Sequence, residues 1–144
     1  MKIKILALSG SLRAASTNSM LLRAVAKLAP AGIEVLVFQG LGELPLFNPD
    51  LEAQPPANVT TFFQAVAEAD ALLIASPEYA HGVSGTIKNA LDWLVGFEPF
   101  AAKFVGAFWR EETPRSISST TQSSSSIPRT WTASWHDGSC LRSA

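Results

Sequence analysis

An α/β domain, with a parallel sheet and helices on both of its faces, is the fold this sequence predicts, and three observations predict it. Short runs of branched apolar residues recur from Ile3 onward, segments with helical apolar spacing alternate with them, and the first run stops at a Gly-containing turn that leads straight into a helix. The 144 residues fit one domain of ordinary size with a sizeable core, and no internal repeat divides them.

The elements follow in order. Ile3 to Leu8 is too short for a helix and is stopped by Ser9-Gly10, as a buried parallel strand would be. From Asn18 or Ser19, Met20, Leu21, Ala24, Val25 and Leu28 recur at helical spacing until Pro30 and Gly32 end helix one. Ile33 to Phe38 is β-branched enough for strand two, and Gln39 to Asn58 is a long Gly- and Pro-containing connection of the length that serves packing or function. Val59, Phe62, Phe63 and Val66 form the stripe of helix two, and the apolar run Ala71 to Ala75 gives strand three. Ser76 to Ser84 reads as a polar, aromatic loop; Ile87, Ala90, Leu91 and Leu94 mark helix three with Ser84 as its N-cap; Phe104 to Phe108 supplies strand four. The expected strand order is 2-1-3-4.

Composition narrows the partners. A formal net charge of -1, a pI near 6.1 and the lack of a basic run give no drive toward nucleic acid or an acidic membrane surface. Cys140 is the only cysteine and His81 and His136 lie far apart, so neither an internal disulfide nor a cysteine-based metal site is expected, which suits a reducing cytoplasm. Met1 to Lys4 runs directly into strand one without the long apolar stretch of a signal peptide or membrane span. Beyond Glu111 the character changes: Ser and Thr make up nearly half of residues 116–144 and no apolar period persists. Residues 1–110 are therefore expected to form the folded domain and 111–144 a mostly irregular tail, in which Cys140 has no role.

Two loops carry the chemistry. Ser9 to Asn18 is a strand-to-helix turn suited to an anion: Gly10 permits a tight turn, Ser and Thr hydroxyls donate hydrogen bonds, Arg13 brings a fixed charge, and the helix N-terminus adds free N–H groups. Ordinary caps and turns favour the same residues, so this loop alone does not decide. With the order 2-1-3-4, however, the loop after strand three faces the same crevice. It offers Pro77, Glu78, Tyr79, His81 and Gly82: a rigid turn, an aromatic or imidazole face and backbone groups that would line a flat heterocycle. Phosphate at one end and a planar ring at the other describe a mononucleotide. The chain lacks G-x-G-x-x-G and G-x-x-x-x-G-K-[ST], and flavin mononucleotide (FMN) is the leading guest.

At these residues the chain resembles the NAD(P)H-dependent FMN reductases of flavodoxin-like fold, a family that includes quinone, chromate and azo-dye reductases. Gly10-Ser-Leu-Arg13, with Ser16 and Asn18 after it, is similar to the family's phosphate loop; Pro77-Glu-Tyr79, Gly82, Gly85, Lys88-Asn-Ala90 and Asp92-Trp93 are similar to its second signature. The resemblance covers about residues 1–105. It implies a flavodoxin-like three-layer sandwich in which Ser9, Ser11, Arg13, Ser16 and Asn18 hold phosphate. Pro77, Glu78, Tyr79 and Gly82 then flank the isoalloxazine; His81, outside what the resemblance implies, is read from its place in the loop as a cofactor-binding pocket wall or an exposed loop residue. Members commonly carry Asn after Glu-Tyr, where this chain has Ala80 and then His81. Lys88, Asn89, Asp92 and Trp93 are expected on the helix surface, in packing or in oligomer contacts.

The resemblance further implies hydride transfer from NAD(P)H through FMN to a quinone or similar small acceptor, with no protein acid, base or nucleophile, and association as a homodimer or homotetramer. The family continues after strand four with a flavin-contacting loop, a fifth strand and further helices that residues 108–144 do not resemble; the tail reads as sequence foreign to the fold, as a shifted reading frame would give. Without that cover, the sheet edge and the apolar faces near Phe104 and Phe108 are expected to be exposed. A non-catalytic FMN- or phosphate-binding remnant is the alternative function. A serine hydrolase is disfavoured, because Ser9 and Ser11 lack a G-x-S-x-G elbow.

Overall fold

The computed structural model of the chain describes residues 2–79, 81–111 and 130–133. In chain order the elements are β1 (Ile3–Ser9), α1 (Thr17–Leu28), β2 (Ile33–Val37), α2 (Ala57–Glu68), β3 (Ala71–Tyr79), β4 (Gly82–Val83), α3 (Gly85–Leu94), α4 (Glu98–Ala101), β5 (Phe104–Glu111) and β6 (Thr130–Ala133). The connection before α2 contains two short 3₁₀ turns, Leu41–Glu43 and Pro49–Leu51. The sheet is ordered β2-β1-β3-β5-β6, with β4 folded back on the end of β3. β2, β1, β3 and β5 are parallel, which is the 2-1-3-4 order expected for the strands read from sequence.

Alternation along the central strands sets the layers. Leu6, Leu8, Leu72 and Ile74 point into one core with Val59, Phe62 and Val66 of α2 and Ile87, Ala90, Trp93 and Leu94 of α3. Ala7 and Ala75 face the other way, where Leu22 of α1 packs with Val35, Val37 and Leu73. This second layer is the thinner one. In the β3–β5 register Phe104 and Phe108 stand beside Ala71 and Ala75, on the α1 side of the sheet, and they are 79% and 37% exposed.

The long connection is held down by α3. Asn89 Oδ1 accepts from Phe47 N at 2.8 Å, while Asn89 Nδ2 and Trp93 Nε1 donate to the Pro45 carbonyl at 3.0 and 2.9 Å. Trp93 is almost fully buried and meets Phe47 edge-to-face. Asn89 and Trp93 therefore serve packing, whereas Lys88 and Asp92 pair with one another on the exposed side of the helix.

Three features differ from the sequence reading. Residues 76–79, read as loop, continue β3, because β5 pairs with β3 as far as Glu78 and β4 pairs with its last two residues, so their backbone groups are satisfied within the sheet. The turn α4 follows Phe97 and has Pro99 in its first turn, a favourable start that the apolar periodicity does not reveal. The outer edge of β5, expected to be bare, carries β6, which pairs with it antiparallel from Val105↔Ala133 to Phe108↔Thr130. An unpaired strand edge is a ready template for such an addition. The remainder of the tail expected to be irregular, with Trp135, His136 and Cys140, lies outside the described residues.

Phe62 has 0% of its surface exposed and fills the space between α2 and the sheet, touching Phe38 at a ring separation of 5.2 Å. Phe62→Ala is expected to lower stability by about 3–5 kcal/mol, measured by urea denaturation with an unchanged m-value. A loss below ~1 kcal/mol would contradict this placement of the core.

Candidate functional site

The crevice arises where two strands stop pairing. β1 and β3 run in register from Ile5↔Ala71 to Ser9↔Ala75. Beyond that point β1 leads to α1 on one face of the sheet and β3 leads, through β4, to α3 on the other. The loops part at this reversal of strand order, beyond the C-terminal ends of the strands, where open α/β sheets place ligands.

Gly10 is the last tie. Its N–H donates to the Ala75 carbonyl at 2.8 Å. A Cβ here would lie 2.5 Å from Ser76 Oγ, 2.7 Å from Ser84 Oγ and 2.8 Å from Ile87 Cγ1, so the position accommodates only glycine without displacing its neighbours. The loop then closes on itself. Ser9 Oγ and Ser19 Oγ share a hydrogen bond at 2.7 Å, and Ser16 N donates to the Arg13 carbonyl at 3.1 Å. Ser16 is the N-cap of α1, accepting from Ser19 N at 3.2 Å, so the helix begins at Thr17, one residue before the earlier of the two starts expected from sequence, Asn18 or Ser19. Ser16 itself is buried, so its hydroxyl serves the turn and the helix start. Leu12 packs over Gly42, where a Cβ would lie 2.8 Å from Leu12 Cδ2, which fixes the loop against the connection after β2. Arg13 is exposed, and among the described residues the carboxylates in ion pairs are engaged by Lys2 and Lys88 and not by Arg13.

The second wall is the β3–β4 hairpin, paired Glu78↔Val83 and Tyr79↔Gly82. His81 in its two-residue turn has φ 61°, in the left-handed region that such turns require. Ala80 lies outside the described residues. Tyr79 is 47% exposed. Ser84 follows as N-cap of α3, accepting from Ile87 N at 3.4 Å, as expected.

Between the walls lies a pocket of about 470 Å³ lined by Gly10, Ser11, Leu12, Arg13, Tyr79, Ser84, Gly85 and Thr86, a volume within the range of small-molecule sites. Of the residues singled out from sequence, it brings together Ser11, Arg13 and Tyr79. Ser9 and Ser16 shape the loop and the start of α1, and Asn18 is buried in the first turn of that helix. Pro77 is buried, while Glu78, His81 and Gly82 build the hairpin and do not line the pocket. The sequence reading missed the start of α3 as a wall: Ser84, Gly85 and Thr86 line it, and Gly85 and Thr86 offer N–H groups at a second helix N-terminus, the Ser84 N–H being held by Ser76 Oγ. Reading the cap at Ser84 as a donor site as well as a boundary would have found it. Chemically, the pocket presents a cation, hydroxyls and helix-end amides at one side and a phenol ring at the other.

A parallel sheet in this order, with helices on both faces and its crevice at the β1/β3 reversal, defines a flavodoxin-like protein. The chain belongs to the NADPH-dependent FMN reductase family, whose model matches residues 3–127. It is 37% identical over 106 residues to a quinone reductase of Escherichia coli strain K12, covering 71% of this chain and 56% of that one. It is 43% identical over 93 residues to a 2-hydroxy-1,4-benzoquinone reductase of a Burkholderia species, covering 65% and 50%. Among solved structures it is similar to a flavoenzyme NAD(P)H:(acceptor) oxidoreductase from Paracoccus denitrificans, with a TM-score of 0.68 and 32% identity over 74% of this chain and 60% of the other. The chain spans about half the length of the curated relatives it matches.

The hairpin supplies a prediction of its own. A β-branched side chain in the left-handed region is strained where glycine is not. His81→Val is expected to be less stable than His81→Gly by about 1–2 kcal/mol in chemical denaturation; equal stabilities would show that the turn relaxes freely.

Proposed function

We propose that this chain binds FMN in the crevice and, as an oxidoreductase, passes hydride from NAD(P)H to a quinone or similar small acceptor. The observation that carries the reading is the single pocket that joins Ser11 and Arg13 to Tyr79 and the start of α3. Its donor set suits a phosphate monoester: Arg13 supplies a fixed charge and planar donors, the Ser11 hydroxyl supplies a proton, the α3 N-terminus at Gly85 and Thr86 supplies amides and a favourable dipole, and Ser16, buried as the N-cap of α1, holds the loop. Asn18 stands at the same helix end and completes that side. Tyr79, with the hairpin backbone of Pro77, Glu78, His81 and Gly82, flanks the ring.

Bound FMN supplies the hydride chemistry. The chain's own residues bind and orient. Arg13 and the loop fix the phosphate end, the hairpin sets the height of the ring, and the rigid Gly10 contact keeps the two walls at one spacing. No side chain in the pocket is required to accept or donate a proton. The names of the relatives, quinone reductases among them, support the acceptor class. The FMN-binding domain is residues 1–110, the atypical tail beyond it adds β6 to the sheet edge, and the chain works in the cytoplasm as a homodimer or homotetramer. Among the described residues no helix is long and apolar enough to cross a membrane.

The test is to purify the chain, measure flavin absorbance, and follow NAD(P)H oxidation with added FMN and a quinone. Saturable FMN binding and acceptor-dependent oxidation are expected; saturating FMN without binding would overturn the reading. Arg13→Ala is expected to weaken FMN binding about tenfold or more, the cost of one charge-assisted hydrogen bond, while leaving riboflavin binding nearly unchanged. Calorimetric titration with both flavins checks this, and an equal loss for both would remove Arg13 from the phosphate.

A further inference from the structure

We propose that the buried Ser76–Ser84 hydroxyl pair is a positioning element for the phosphate end of the flavin, setting the spacing between the loop that begins at Gly10 and the N-terminus of α3. The proposal rests on the FMN reading above. Ser76 is fully buried at the point where β3 leaves the β1 register, and Ser84 is 3% exposed at the start of α3. Their Oγ atoms are 3.3 Å apart. Ser76 Oγ also accepts from Ser84 N at 3.3 Å and reaches the Pro77 carbonyl at 3.0 Å. The two hydroxyls are thus tied to β3 and to α3 at once.

Gly10 lies directly against both. The Cβ it lacks would sit 2.5 Å from Ser76 Oγ and 2.7 Å from Ser84 Oγ. The residue after Gly10 is Ser11, and the residues after Ser84 are Gly85 and Thr86, all of them pocket-lining. A shift at this three-way contact therefore moves the donors of one wall relative to those of the other. Burying two hydroxyls here is a poor way to gain stability, since an apolar pair of similar shape is often as good. What the pair adds is direction and a fixed distance, which an apolar contact does not give. Ser76 and Ser84 act through the loop and the helix end and not by touching the reacting atoms.

The test compares FMN with riboflavin, which lacks the phosphate, by titration calorimetry of the full chain as wild type, Ser76→Ala, Ser84→Ala, Gly10→Ala and the Gly10→Ala/Ser76→Ala double variant. Ser76→Ala and Ser84→Ala are each expected to reduce the preference for FMN over riboflavin about fivefold or more, with riboflavin affinity held within about twofold. A purely structural role would instead lower the melting temperature and weaken both flavins by one factor, and that result overturns the proposal, as does an unchanged preference. Whichever of the two single variants folds decides. Gly10→Ala is expected to cost less FMN affinity in the Ser76→Ala background than in the wild type, because the nearest of the three atoms it would strike is gone while Ser84 Oγ and Ile87 Cγ1 remain; strict additivity overturns the proposal. Wild-type chain that binds neither flavin overturns the FMN reading and this inference with it, whereas wild-type binding with an unaltered preference in the variants removes the inference alone.

Discussion

The site depends on where the β1–β3 pairing ends. As far as Ser9 and Ala75 the two strands satisfy each other's backbone groups, and the Gly10 N–H to the Ala75 carbonyl is the last bond of that series. Past it β1 leaves the ladder for the loop before α1, while β3 runs on against β5 and β4 to Tyr79, so the loop after Ser9 and the start of α3 lose their partners in the β1–β3 ladder. Their donors become the donors of a pocket. Glycine at position 10 lets the divergence happen at the shortest possible distance, since any side chain would collide with Ser76, Ser84 and Ile87. The rigid core beneath, with Leu6, Leu8, Leu72 and Ile74 buried against α2 and α3, holds the strand ends in place. Loop geometry is thereby inherited from sheet geometry, which is how a short polar turn acquires a fixed shape.

Much of this was legible in the chain because it follows from local chemistry. Period-2 and period-3.6 patterns give the four parallel strands and three main helices, and Ser84 announces the start of α3 as a cap. The loop after β1 was legible as a candidate anion site because Gly10, Ser11 and Arg13 sit between a strand and a helix. The hairpin was not: Ser76, Pro77 and Glu78 have no strand propensity of their own, and only the partner strand β5, some thirty residues later, makes them part of the sheet. The contribution of Ser76 and Ser84 beneath Gly10 was equally hidden, because it is a contact among three segments distant in sequence. The roles of Asn89 and Trp93 in fastening the connection after β2 lie between these cases, since packing is one of the three roles the sequence leaves open for them, beside helix surface and oligomer contacts, and their acceptor, the Pro45 carbonyl, required the fold.

The two layers of helices are unequal, and this bears on the site. The α2–α3 side buries a large continuous core, while the α1 side buries Ala7, Leu22 and Ala75 and leaves Phe104 and Phe108 of β5 exposed among the described residues. The loop after β1 leads into α1, the helix of the thinner side. Its stability therefore leans on local devices: the Ser16 cap, the Ser9–Ser19 hydroxyl contact and the seat of Leu12 on Gly42. The FMN-binding crevice proposed here is built within the part of the chain that matches the curated relatives.

Amide chemical-shift mapping tests the central claim most directly. In a ¹H–¹⁵N titration of the full chain with FMN, the largest perturbations are expected at Ser11 to Asn18 and at Ser84 to Thr86, with Tyr79 shifted by the ring and the buried strands nearly still. Perturbations confined to another surface, or none at saturating FMN, would contradict the assignment of the crevice at the end of the β1–β3 pair.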